Sequence, residues 1–155
     1  MPTVEDHTQG AGGHESRRAL EIARQCAERI YADDAASRAL GITVTDVGPG
    51  RATATMRVLP TMVNGHQIAH GGYLFLLADT AFAFACNSYG PVTVARQCEI
   101  EFVRPAVEGE QLTATATERL RKARNGIYDV TVAGAGGDVV AEMRGHSRTL
   151  PGRPA

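Results

Sequence analysis

Residues 64–85 read NGHQIAHGGYLFLLADTAFAFA and hold most of the side chains that could do chemistry in this 155-residue chain. Asp79 stands among Leu76, Leu77, Ala78, Ala81 and Phe82. A carboxylate in such surroundings loses hydration, so it must be hydrogen-bonded, neutralised or functional. A functional carboxylate here can take a proton or attack an electrophile. Upstream, Gly71-Gly72 at a helix start exposes backbone N–H groups with no Cβ in the way, which suits an anion or a developing oxyanion. His66 and His70 are four apart, a spacing that on a helix would suggest a metal pair with Asp79. The flanking Asn64-Gly65 and Gly71-Gly72 place them in a loop instead, and no third ligand is suitably spaced, so no metal is expected. Cys86 lies on the same apolar run without a base placed near it, which reads as core.

The elements that must position these residues follow from periodicity and turn chemistry. Residues 1–16 are rich in Gly, His, Thr and acidic side chains and read as a flexible leader. From Arg17 to Tyr31, Leu20, Ala23, Ala27 and Ile30 fall at helical spacing behind a possible Ser16 cap. A short helical turn over DDAASRAL ends at Gly41. ITVTDV and RATATMRV alternate on either side of Gly48-Pro49-Gly50, the pattern of a hairpin. Residues 71–88 are apolar on all faces and predict a helix buried on every side. Four strand-like runs then follow, VTVARQCEIEFVR, EQLTATATERLR, GIYDVTVAG and DVVAEMRGHSRTL, separated by turns in PAVEG, KARN and AGG, with Asn125 and Gly126 expected to make the middle turn. The tail PGRPA, residues 151–155, is expected to fray. One domain over residues 17–150 results: an α+β fold in which an antiparallel six-stranded sheet curls around a long central helix.

Composition narrows the functional classes. A net charge of −1 provides no overall field for nucleic acid or an anionic membrane, so neither is expected as a partner. Lys122 is the only lysine and the other basic residues are arginines. Three cysteines without CxxC spacing suggest neither a disulfide framework nor a zinc ribbon and fit a reducing cytoplasm. The start lacks a basic segment followed by an apolar one, and the apolar run from Tyr73 to Cys86 is shorter than the ~20 residues of a membrane span. A cytoplasmic protein is the expectation.

NGHQIAHGGYLFLLADTAFAFACNSYG, continued by EIEFVRPAVEGEQLTATA, GIYDV and RGHS, resembles the hotdog-fold acyl-CoA thioesterases, specifically the phenylacetate-degradation group called PaaI, over roughly residues 33–148. The resemblance implies a hotdog fold and a thioester hydrolase acting on an aryl-acyl-CoA of the phenylacetyl or hydroxyphenylacetyl type. It implies that Asp79 is the catalytic carboxylate, that Gly71 offers its N–H to the thioester carbonyl, and that Asn64 and His70 shape the same site. Gly72 and Thr80 are carried as substrate contacts. Thr80, turned about 100° from Asp79 on the helix, has the alternative of bonding back to the i−4 carbonyl. Arg121, Lys122 and Arg124 form the densest basic group and are candidates for the phosphates of coenzyme A, which is part of the substrate; no separate cofactor is expected.

Helix geometry adds a constraint. The eight residues from Gly71 to Asp79 span about 12 Å, too far for both to act on one carbonyl from the same helix. A two-fold dimer with antiparallel central helices would bring Gly71 of one subunit opposite Asp79 of the other. The resemblance implies this arrangement, so an obligate homodimer, paired into a homotetramer, is expected. Two other classes compete. A hotdog hydratase or dehydratase would use a histidine and an acidic residue, but His70 sits in an HGG context. A non-enzymatic acyl-CoA-binding module would ordinarily add a DNA-binding helix-turn-helix, for which one amphipathic helix and a short companion are too little.

Overall fold

The computed structural model describes residues 9–154, with side chains from 12 to 152. Ten elements alternate as expected around a single long apolar helix: α1 (Gln9–Asp33), α2 (Ala35–Ala39), β1 (Thr43–Gly48), β2 (Arg51–Arg57), α3 (Gly71–Cys86), β3 (Pro91–Phe102), β4 (Gln111–Lys122), β5 (Asn125–Ala133) and β6 (Val139–Pro154), with a single 3₁₀ turn at Pro60–Met62 before α3. The six strands form one sheet in the order β1-β2-β4-β5-β6-β3, antiparallel at every pairing. This is the hotdog arrangement.

Local chemistry accounts for the turns. Gly48 pairs with Arg51, leaving Pro49-Gly50 as the β1–β2 turn, with Gly50 at φ +68° where a β-carbon would also meet the Tyr89 hydroxyl at 2.8 Å. Between β4 and β5, Lys122 pairs with Asn125, so the turn residues are Ala123 and Arg124, not Asn125 and Gly126. Ala123 takes the left-handed conformation at φ +53°. The reason lies in the register: Ile127, Asp129 and Thr131 must face outward and Tyr128, Val130 and Val132 inward, which makes Asn125 and Gly126 the first residues of the strand.

Two boundaries differ from expectation. The first helix begins at Gln9, upstream of the Ser16 cap, because an established helix propagates at little cost through residues that pack on nothing; residues 12–18 are exposed. The remainder of the expected leader, residues 1–8, lies outside the described residues. At the other end, residues 151–154 continue β6, since Pro154 pairs with Pro91 and the Thr93 and Thr149 hydroxyls lie 3.0 Å apart; Ala155 lies outside the description.

The inner sheet face and α3 make the core. Leu74, Leu77, Ala78, Ala81, Phe82, Phe84 and Ala85 of α3 are buried against Ala54, Met56, Leu112, Ala114, Val130, Val132 and Met143 of the strands. Alanines on β2 and β4 let the helix lie close to the sheet, and Gly145 on β6 leaves room for Phe82, whose ring a β-carbon there would meet at 2.9 Å. Each large buried side chain contributes roughly 1.5–3 kcal/mol by leaving water. Burial of α3 is nevertheless incomplete. Gly72 is exposed, and Leu76, Asp79 and Ala83 are half-buried; these four positions fall at helical spacing and form one open stripe. The helix is covered on three sides within this chain, not on every side.

Candidate active site

The loop before α3 fixes how the helix begins. Asn64 Oδ1 accepts from the backbone N–H of His66 (2.9 Å) and of Ile68 (3.4 Å), while the Asn64 N–H donates to Ile68 O. Asn64 thus closes the turn, and Gln67 at φ +62° completes it. The exit is pinned twice: Ala69 N–H donates to Ala106 O at 2.8 Å and His70 N–H to Met62 O at 2.8 Å. His70 is the N-cap of α3, its Nδ1 accepting from Gly72 N–H at 2.9 Å. Nδ1 is therefore the unprotonated nitrogen, and the ring proton of the neutral imidazole sits on Nε2.

That cap divides the two glycines. The Gly72 N–H donates to His70 in the capping bond. The Gly71 N–H, at the first helical position, has no acceptor among the described residues. It is the free donor at the positive end of the helix dipole. A β-carbon at Gly71 would meet the Phe102 ring at 2.9 Å, so the ring lies directly against this residue.

Asp79 sits two turns along the open stripe. Its carboxylate forms no hydrogen bond or ion pair among the described residues, and burial raises its pKa above the usual carboxylate value. Its charge is felt by two thiols. Cys86 is pushed up to about 12, by burial first and then by Asp79, and Cys98 on β3 is raised by the same two causes in the same order. Burial and the Asp79 charge both disfavour the thiolate form, so neither cysteine is favoured as a nucleophile on this face.

Thr80 turns away from this face. Its hydroxyl donates to Leu76 O at 2.8 Å and lies 3.1 Å from the Ser37 hydroxyl, both residues being buried. Of the two roles expected of Thr80, the bond back to the i−4 carbonyl is the one present, and with Ser37 it ties α2 to α3. The basic group is divided as well. Arg121 stacks over the Tyr89 ring, 3.7 Å from its centroid, with Glu118 at 3.8 Å. Lys122 instead lines a groove of about 400 Å³ with Arg96, Leu120, Ile127 and His146, and Arg124 occupies the turn, its carbonyl accepting from Thr149 N–H. Alternation along β4 sends the consecutive Arg121 and Lys122 side chains to opposite faces.

Two neighbours of Gly71 and Asp79 escaped the sequence reading. Phe102 and Cys98, on the inner face of β3, flank Gly71 and feel Asp79 respectively. Their apolar types in CEIEFVR match plain strand packing, and only the register of β3 beside α3 places them here. Asn87, following α3, bonds Thr93 twice through its side chain, Nδ2 to Thr93 O and Oδ1 from Thr93 N–H, both at 2.8 Å. With Gly71 against Phe102 and Asn87 against Thr93, α3 runs antiparallel to β3, whose outer edge is unpaired among the described residues.

Comparison with known proteins gives the following. The thioesterase superfamily model matches residues 66–141. The acyl-coenzyme A thioesterase PaaI of Escherichia coli is 46% identical over 128 residues, 83% of this chain and 91% of that protein. A putative esterase of Deinococcus radiodurans is 36% identical over 107 residues, 68% of this chain and 73% of its own. Among solved structures, the Escherichia coli PaaI protein from the phenylacetic acid degradation operon superposes with a TM-score of 0.85 at 44% identity, covering 87% of this chain and 98% of that one. A mutant of the phenylacetic acid degradation protein PaaI from Thermus thermophilus superposes with a TM-score of 0.71 at 37% identity, covering 74% and 97%.

Proposed function

From the premise that the chain belongs to the thioesterase superfamily, as an acyl-CoA thioesterase of the PaaI type, we propose that it hydrolyses aryl-acyl-CoA thioesters of the phenylacetyl or hydroxyphenylacetyl type to the free acid and coenzyme A. Asp79 supplies the base or nucleophile, and the Gly71 N–H of a second subunit polarises the carbonyl. The observation that carries this reading is the pairing of two unsatisfied groups: a free N–H at Gly71 and an unpartnered carboxylate at Asp79. About 12 Å of helix separates them, so one chain alone cannot bring both to one carbon.

The unpaired edge of β3 supports the two-subunit site. Two such edges joined about a two-fold axis run antiparallel, and because α3 runs antiparallel to β3, the two helices then lie antiparallel with their open stripes facing. Gly71 of each subunit then approaches Asp79 of the other, giving two equivalent sites per homodimer, and a homotetramer pairs two such dimers. In the reaction, the carbonyl oxygen accepts from Gly71 N–H as charge develops on it. Asp79 either removes a proton from water as it attacks, or attacks the carbonyl carbon itself, expelling the thiolate of coenzyme A to leave an anhydride that water cleaves. His70 and Asn64 hold the loop and helix start that aim the donor. Lys122 and Arg124 remain candidates for the coenzyme's phosphates, with no further cofactor, and the protein acts in the cytoplasm. Among the described residues, no helix is long and apolar enough to cross a membrane.

Steady-state hydrolysis of a panel of aryl- and alkyl-acyl-CoA esters by wild type and Asp79→Ala tests the proposal. The expected result is preference for the aryl esters and loss of at least ~10² in rate for the variant. A monomeric mass by light scattering, or more than about a tenth of the rate retained by Asp79→Ala, would overturn it.

A further inference from the structure

Phe102 is half exposed, at 50%, although its ring packs against the α-carbon of Gly71, whose N–H has no acceptor among the described residues. Three of its ring atoms would lie 2.9, 3.2 and 3.3 Å from a β-carbon at Gly71, so the ring tip is directed at that α-carbon. The backbone beneath it is held firmly. Val103 N–H donates to Val140 O at 2.8 Å, Phe102 pairs with Ala141, and Arg104 is clamped between Asp138 and Glu110. The helix start is held as firmly by the bonds of Ala69, His70 and Gly72. Between two fixed backbones, only the Phe102 side chain can yield.

We infer that Phe102 is the apolar wall of the carbonyl-binding site, touching the substrate beside its thioester carbonyl and keeping water from the Gly71 N–H. This rests on the proposed function and extends it. A lone N–H donor at a helix terminus in open water is already satisfied and gains little from a developing oxyanion. The same donor beside a hydrocarbon face acts in a lower dielectric, where each charge-dipole interaction is stronger. A glycine at position 71 is needed on this account so that the ring can reach the donor, besides the freedom it gives the backbone.

A double-mutant cycle in the full-length protein tests it, using Phe102→Ala, Gly71→Ala and the double variant, with Phe102→Leu as the conservative control. Losing a complete oxyanion donor costs about 10²–10³ in kcat, and wetting a donor costs part of that, so Phe102→Ala is expected to lower kcat by about tenfold with a smaller change in KM. Gly71→Ala pushes the ring aside and produces the same defect, so the double variant is no slower than the slower single one. Phe102→Leu retains most of the rate. Wild-type kcat in Phe102→Ala, losses that multiply in the double variant, or a loss that appears only where light scattering shows dissociation would overturn the inference. If the wild type hydrolyses acyl-CoA esters and Asp79→Ala does not, while Phe102→Ala is normal, the wall falls and the proposed function stands. If the wild type hydrolyses none, the function itself falls.

Discussion

Replacing Asp79 with asparagine separates two consequences of one burial. The carboxylate is half-buried on α3 between Leu76 and Ala83, has no cation or donor partner among the described residues, and is held above the usual carboxylate pKa by desolvation. Because the folded-state value is raised, the folded protein keeps this proton to higher pH than the unfolded chain, which releases it near ~3.9. The contribution of Asp79 to stability is therefore most favourable below that value and declines as pH rises through the folded-state value. At neutral pH the ionised group is a cost. Discounted for its part exposure, that cost is about 1 kcal/mol. For a chain of this size 1 kcal/mol corresponds to about 2–4 °C in Tm. Asp79→Asn is thus expected to melt a few degrees higher than wild type at pH 7, measured by calorimetry at matched concentration, with the difference shrinking toward pH 4. Its thioesterase rate is expected to fall at least ~10². In wild type, kcat/KM should decline on the acid side with an apparent pKa above that of an ordinary carboxylate. A variant that melts lower than wild type at pH 7, or keeps more than about a tenth of the rate, would refute the argument that an unsatisfied carboxylate is retained for catalysis.

Other substitutions probe the supports of the site. His70→Ala removes the side-chain cap of α3 and is expected to cost about 1 kcal/mol by chemical denaturation, while His70→Asn, which can still accept from Gly72 N–H, restores most of it. Thr80→Val leaves the buried Ser37 hydroxyl without its partner and should cost about 1–2 kcal/mol while leaving kcat/KM within about twofold, a split that a substrate-contacting threonine would not show. Gly145→Val drives a side chain into the Phe82 ring and is expected to destabilise by about 1–3 kcal/mol in urea unfolding. Ala123→Gly relieves a left-handed alanine in the β4–β5 turn and should raise stability by about 0.5–1 kcal/mol without altering turnover.

Much of this architecture is legible in the linear chain because its signals are local. Pro49-Gly50 between two alternating runs admits little but a turn, and four alternating segments of ten or so residues with polar breaks admit little but strands. The HGG start of α3 and the lone carboxylate eight residues later are likewise visible as residue types that hydrophobic packing does not explain. Less legible were choices made by neighbours distant in sequence. Ala123, not Asn125, takes the left-handed turn position because the β4–β5 register must bury Tyr128 and Val130. Thr80 turns inward because Ser37 of α2 waits there with a hydroxyl.

The amino-acid order alone was enough for the class of fold, and it singles out Asp79 and Gly71 as the groups proposed to act from two subunits, since these readings depend on periodicity, on the chemistry of single residues and on the fixed rise of a helix. It was not enough for the division of labour within the site. That Gly71 has no acceptor among the described residues while Gly72 spends its N–H on His70, and that the Phe102 ring lies against Gly71, are set by packing between α3, the preceding loop and β3. Those contacts join residues tens of positions apart, and nothing in the spacing of residues along one strand or helix reports which neighbour it will meet.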